Sequence, residues 1–272
     1  IFLFVAVGAT LPIIFPIRLP IAQTQPVRNI FNAIEKLQAG DKIIMSFDYG
    51  PSSAPENDPQ AEAVLRHCFK KGIKVIIVAL YPIGGLTMAI NVSDKVASEF
   101  KLEYGKDWIN LGYKDGGQAL MKQMGVDIHS VFPVDNKGTK VGEIEIMKNT
   151  HNYRDINLIV SLATGIIGEW WANLVNAQFG VHVAVGCTAV SAPKYYAYLK
   201  AGQMMGMMGG LKGASEYEDM IIKKYSEFEK TYAKPGSYNA SRGMSVQAVV
   251  HLLIIGFIVL GNVSYLLDKR RK

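Results

Sequence analysis

The residues best suited to chemistry in this chain stand where short apolar runs end. The first run ends in Asp48, Tyr49 and Gly50, followed by Ser52 and Ser53, and the second in Tyr81, Gly84 and Gly85. The third ends in Lys114 and Asp115 with Gly116 and Gly117, the fourth in Ser161, Thr164 and Gly165, and the fifth in Cys187, Thr188 and Ser191. Glycine lets a backbone approach a ligand closely, and helix N-termini attract anions through their free N–H groups. Asp48, Tyr49, Gly50, Gly84, Gly85, Lys114, Gly116, Gly117, Thr164 and Thr188 therefore form a candidate site for a small anionic or nucleotide-like ligand. The same residue types serve as caps and positive-φ positions in any strand-to-helix turn, so a purely structural reading stands beside the functional one.

Narrower chemistries find less support. Cys187 at a run's end suggests a nucleophile, but no histidine falls at a preceding run's end to activate it; His129 and His151 lie in an irregular middle region. The five histidines show no metal-ligand spacing, so no metal site is expected. Asp48, Glu56 and Asp58 read equally as an acid/base set or as a cap and solvated turn. No dinucleotide fingerprint follows the first run, which disfavours nicotinamide and flavin, and "GGLKG" from Gly209 is not a phosphate-loop pattern. The sequence assigns neither a catalytic residue nor a cofactor.

The elements that must position these residues alternate in type. "DKIIMSFDY" and "KVIIVALY" are buried-strand runs, "DWINLGY" a third, and "INLIVSLATG" and "VHVAVGCTAV" the fourth and fifth. Helices lie between them. "NDPQAEAVLRHCFKKG" keeps Ala61, Val64, Leu65 and Cys68 on one face, with Asp58 before Pro59 as its expected start and Gly72 as its end. Cys68 on that face reads as a buried thiol. "TMAINVSDKVASEFKLEYG", "DGGQALMKQMG" and "IIGEWWANLVNAQFG" follow, with Asp115 and Gln118 at capping-box spacing. The segment from Pro133 to Asn152 breaks the alternation as a surface excursion. Strands that are apolar throughout, separated by helices, predict a three-layer α/β sandwich with a mainly parallel sheet of about five strands.

After the fifth run the pattern changes. Ser191 and Pro193 open a helix through "KYYAYLKAG", and "SEYEDMIIKKYSEFEKTYAK" predicts another, with Ser215 and Glu218 as a capping box and Ile221, Tyr225, Phe228 and Tyr232 along one side. Its alternating charges read as a solvated face, and Pro235 and Gly236 stop it. Between these helices lies "AGQMMGMMGGLKG". Gly202, Gly206 and Gly210 recur every fourth residue, which on a helix makes a small-residue stripe for close packing, flanked by Met204, Met205, Met207 and Met208. The expected role is helix packing within the protomer or between protomers, with part of the methionine cluster facing another protomer or the membrane, against which stand a broken helix or loop and a ligand contact.

Composition adds the membrane. The chain has 272 residues, 49% of them apolar. Much of that apolar excess lies at the ends. Residues 1–17 contain no charge, and Gly243 to Leu267 is an uncharged run of about 25 residues, enough for a bilayer core of roughly 30 Å. Gln247, His251 and Asn262 interrupt that run as hydrogen-bonding or interfacial groups. The expected organisation is an N-terminal transmembrane helix at 1–17 that need not be whole, an α/β domain at 24–240, a C-terminal transmembrane helix at 245–267 and a basic tail at 268–272. A cleaved signal peptide competes for the first segment, although its charged leader and cleavage site are not evident. "DKRRK" from Asp268 argues for a cytoplasmic tail and an extracytoplasmic domain, with Arg18, Arg28, Lys230, Lys234 and Arg242 weakening the asymmetry.

The net charge of +6, without a basic stripe interleaved with aromatics, favours an anionic membrane surface over nucleic acid. The expected partners are the lipid bilayer and either further copies of this chain or another membrane protein. Two functions follow. One is a membrane-anchored α/β domain that self-associates or scaffolds an assembly. The other is a membrane-tethered enzyme or sensor that binds its ligand at the strand ends.

Overall fold

A computed structural model describes residues 2–15, 21–233 and 239–271. In chain order the regular elements are α1 (Phe2–Ile14), α2 (Gln25–Lys36), β1 (Lys42–Asp48), α3 (Ala54–Lys70), β2 (Lys74–Ala79), α4 (Gly85–Phe100) and β3 (Trp108–Tyr113). Next come α5 (Gly117–Met124), α6 (Ile128–Val131), β4 (Leu158–Ala163), α7 (Ile167–Trp170), a π-helical turn (Trp171–Asn176), α8 (Ala177–Phe179) and β5 (Val183–Cys187). The chain continues through α9 (Ala192–Lys200), β6 (Gly206–Gly209), α10 (Gly210–Lys224), α11 (Phe228–Ala233) and α12 (Ala240–Arg271).

The strands form one six-stranded sheet in the order β3-β2-β1-β4-β5-β6, every neighbouring pair parallel. Every strand end that carries polar residues therefore lies on one edge of the sheet. Strand alternation divides the core in two. Ile43, Met45 and Phe47 of β1 join Ile77 and Val160 under α2, α3, α4 and α10. Ile44 joins Ile76, Ile109 and Ile159 under α5, α6, Trp171 and Tyr195. Both faces are covered, which is why the strands carry almost no exposed polar positions.

The sixth strand corrects the expectation for the glycine and methionine stretch. Gly206–Gly209 pairs with β5 in the register Ala184↔Gly206, Val185↔Met207, Gly186↔Met208 and Cys187↔Gly209. The helical stripe does not form: Gly202 and Gly210 have φ values of 73° and 61°, so they turn the chain on either side of the strand. Met204, Met207 and Met208 are buried in the domain and Met205 packs against its core. The strand puts Met207 and Met208 on opposite faces, where flexible unbranched side chains fill both cores. A close approach does occur, but between β6 and α2: a Cβ on Gly206 would meet Ile30 and the Pro26 carbonyl oxygen.

Three expected helix starts also move. α3 begins at Ala54, ahead of Asp58 and Pro59; Asp58 instead accepts the Tyr49 hydroxyl at 2.5 Å. α5 begins after Gly116 with no side-chain cap, so Asp115 and Gln118 form no box. α10 begins at Gly210, which places Ser215 and Glu218 inside it; Ser215 Oγ donates to the Lys212 carbonyl at 2.8 Å. The charged side of α10 is only partly solvated, because Glu216 and Glu218 are buried.

At the ends, α12 contains 28 residues, Ala240–Leu267, long and apolar enough to cross a membrane. α1 has 13 residues, roughly 20 Å, which falls short of a core of roughly 30 Å. The two helices pack antiparallel: the rings of Phe4 and Phe257 lie 6.2 Å apart, and buried Gly8 faces Leu253 and Val249. The small-residue packing expected of residues 202–210 is thus found at Gly8. The expected first span reaches to Ile17, and its last residues lie outside the described residues, as do Arg18, Lys234, Pro235, Gly236 and most side chains of the basic tail.

Candidate functional site

The strand-end residues fall into three groups. Asp48 is buried at the end of β1 and accepts four hydrogen bonds: Ser46 Oγ and Ser161 Oγ at 2.7 Å each, Trp171 Nε1 at 2.9 Å and the Leu80 N–H at 3.3 Å. Burial raises its pKa to about 6, against the pull of those donors. Its carboxyl therefore ties β1 to β4, to the turn after β2 and to the π-helical turn, and has no oxygen facing a ligand. Tyr49 is buried with its hydroxyl on Asp58.

Gly50, Gly84 and Gly85 lie beside them, and the chain itself fills the space a ligand would need. A Cβ at Gly84 would sit 2.8 Å from Pro51 Cδ, and one at Gly85 2.9 Å from the Phe47 carbonyl oxygen. Thr164 donates its N–H to the Asp48 carbonyl at 3.0 Å, and buried Thr188 donates to Ser191 Oγ at 3.0 Å. Lys114 is exposed at the end of β3, next to Gly116 and to Gly117, which faces the Trp170 ring. The structure thus brings Asp48, Tyr49, Gly50, Gly84, Gly85 and Thr164 together as loop-packing residues and leaves Lys114, Gly116, Gly117 and Thr188 on separate loops.

Cys187 is buried and its thiol is pushed up to about 12 by burial. Cys68 is buried too, on the apolar face of α3, and burial likewise raises its thiol. Among the described residues no group of three or more His, Cys, Asp or Glu side chains could hold a metal ion.

Open space lies further along the same sheet edge. A cleft of about 940 Å³ occupies the carboxyl ends of β5 and β6. Ala189 and Val190 from the turn after β5, Gly209 from β6, and Leu211 and Lys212 from α10 form one side. Pro55 and Glu56 of α3 close it below, and α12 from Arg242 to His251, with Ile13 of α1, forms the far wall. Most of this lining is apolar. Its polar groups are Glu56, Lys212, Arg242, Gln247 and His251.

Local chemistry fixes these walls. The Glu56 carboxylate accepts the Ala189 N–H at 2.8 Å, which joins the start of α3 to the turn after β5. Lys212 pairs with buried Glu216, whose other oxygen accepts the Thr24 N–H at 2.7 Å and hydroxyl at 2.6 Å. Glu218, two residues on, accepts the N–H of Ala240 at 2.9 Å and of Ser241 at 3.1 Å, capping α12. An anionic group suits a helix N-terminus for electrostatic reasons. Cationic side chains beside apolar walls can hold an anionic head and an apolar chain together.

The sequence marked several of these residues without joining them. Glu56 stood among the carboxylates, Lys212 was the charge in the glycine and methionine stretch, and Gln247 and His251 interrupted the second apolar run. Val190 and Leu211 carried no signal. No model of a known protein family matches the chain, and no curated protein matches it in sequence.

Proposed function

We propose that this protein is a membrane-tethered α/β domain that binds an amphiphile with an anionic head in the cleft between its strand ends and α12. The single observation that carries the reading is the cleft, whose apolar wall is shared between the soluble domain and a helix able to span a bilayer. Ligand sites in open parallel sheets lie outside the carboxyl ends of the strands, and pockets of roughly 300 to 1,000 Å³ are the usual size for a small ligand. Lys212, an exposed ammonium with N–H donors left beside its bond to Glu216, favours an anionic head, and Val190, Leu211, Val246 and Val250 an acyl chain. The domain lies outside the cytoplasm in this reading, because the basic tail favours the cytoplasmic side. Binding is preferred over self-association as the primary role because the stretch expected to join protomers is folded into the domain.

Native mass spectrometry of the full chain from mild detergent tests the reading. The wild type should retain lipid adducts, and Ala248→Trp, which fills the cleft from α12, should lose them while remaining folded by circular dichroism. Equal adducts in both proteins, or none in the wild type, would overturn it.

A further inference from the structure

The direction in which α12 leaves the domain carries a consequence for the whole sheet edge. Its first residue is held by Glu218 in the middle of α10, and its next turns pass Lys212 and Leu211 at the start of α10 and Gly209 at the end of β6. α10 runs back from the carboxyl edge of the sheet, so α12 runs the opposite way and leaves past that edge. The exposed apolar part of α12, Leu252 to Leu267, is about 16 residues or roughly 24 Å long. A core of roughly 30 Å needs about 20 residues, so the span has to include Ala248 to His251. Those residues share the cleft with Val190 and Gly209. Length alone therefore brings the strand-end edge down to the membrane boundary.

That edge carries apolar tips. Ile83 after β2 is 70% exposed, Ile166 after β4 53% and Val190 after β5 86%. The parallel sheet puts all three on one side of the domain, spread over three strand spacings or about 14 Å. Exposed Lys114 stands on the turn after β3 and exposed Lys194 in the first turn of α9, which follows β5. Isolated apolar side chains on a surface are ordinary, but three in a row on the edge from which a spanning helix departs are not explained by the domain's own packing.

We propose that Ile83, Ile166 and Val190 insert into the boundary between headgroups and acyl chains, so that the domain sits on the bilayer with its strand ends down and its cleft opening to lipid. This rests on the reading of α12 as membrane-spanning, and it adds a docking face that the tether alone does not require. The bilayer is the occupant because the edge is continuous with the exposed apolar surface of α12.

The test places single cysteines at Ile83, Ile166, Val190, Lys106 and Leu260 in the full chain, whose own Cys68 and Cys187 are buried. Each is labelled with a polarity-sensitive fluorophore and the protein reconstituted in phosphatidylcholine and phosphatidylglycerol vesicles. Labels at Ile83, Ile166 and Val190 should shift to shorter wavelength and be quenched by lipids with a shallow nitroxide, while Lys106, before β3 at the opposite edge, stays water-like. Water-like labels at the three tips with a quenched label at Leu260 would overturn the docking face and leave the tether intact. A water-like label at Leu260 would overturn the tether itself. Shifted but unquenched tips would mean that protein, such as a second copy, covers the edge, and would also overturn the proposal.

Discussion

The Glu218 carboxylate accepts the backbone N–H of Ala240 at 2.9 Å, and this contact joins the α/β domain to the helix that can cross a membrane. Glu218 is buried, so the bond is shielded from water and depends on the carboxylate being held in place. Glu218→Ala should cost about 1 to 2 kcal/mol through the lost cap and leave the Ala240 and Ser241 N–H groups without their acceptor. Hydrogen exchange should show the gain in opening confined to the first turns of α12, with β1 and β4 unchanged.

Trp171 makes a comparable bond inside the domain, its indole N–H donating to Asp48 at 2.9 Å. Trp171→Phe keeps most of the apolar contact and removes a donor from a buried carboxyl. A loss of about 1.5 to 3 kcal/mol is expected in denaturant unfolding, with the fold retained. A wild-type midpoint in this variant would mean that Asp48 is not the lock between β1 and the π-helical turn.

Acid should act on the fold in two opposite ways. Burial raises Asp48 from 3.8 to about 6 and Glu218 from 4.5 to about 7, so the folded state takes these protons more readily than the unfolded chain. Their contribution is fully present below the ordinary values and is lost as pH rises through about 6 and about 7. His67 is lowered from 6.5 to about 4 by burial, despite its bond to Glu35 at 2.9 Å. Its contribution is present above 6.5 and is lost as pH falls through about 4. Unfolding measured across this range should show His67→Gln losing less stability than the wild type on the acid side, and Asp48→Asn losing less than the wild type as pH rises from 3.8 to about 6.

Much of the frame is legible in the sequence. Runs such as Ile43–Ile44–Met45 and Ile159–Val160 are long, apolar and β-branched enough to be central strands, and five strands follow from them. β6 is not legible, because Gly206, Met207, Met208 and Gly209 have low strand propensity and form a strand only through pairing with β5. α2 lies outside the strand-and-helix alternation, and its signal is only the helical spacing of Val27, Ile30, Phe31 and Ile34, which are buried. Glu216 and Glu218 look like a solvated face because nothing local shows that Thr24 and Ala240 will be brought onto them. The cleft is hidden for the same reason: Glu56, Val190, Lys212 and His251 are far apart in the chain and meet only when α12 docks on α10.

Glycine substitutions separate packing from ligand contact. Gly85→Ala and Gly206→Ala should each cost about 1 to 3 kcal/mol, because the new Cβ meets backbone oxygen, at 2.9 Å from Phe47 for Gly85 and 2.5 Å from Pro26 for Gly206. Gly165 has open space around it but a φ of 70°, so Gly165→Ala should cost only about 1 kcal/mol in backbone strain. Thermal unfolding in a single detergent gives the comparison. Gly206→Ala that stays fully stable and instead changes oligomeric state would return this stretch to an interface between protomers.

The central claim is that the cleft holds the amphiphile, and photocrosslinking tests it most directly. A fatty acid carrying a diazirine on its acyl chain, added to the full chain in nanodiscs and illuminated, should label peptides containing Ala189–Val190 and Met244–His251, with unmodified fatty acid competing the label away. Label spread along Leu252 to Leu267 without enrichment at Ala189–Val190, and unaffected by competitor, would show lipid around α12 only and contradict the account.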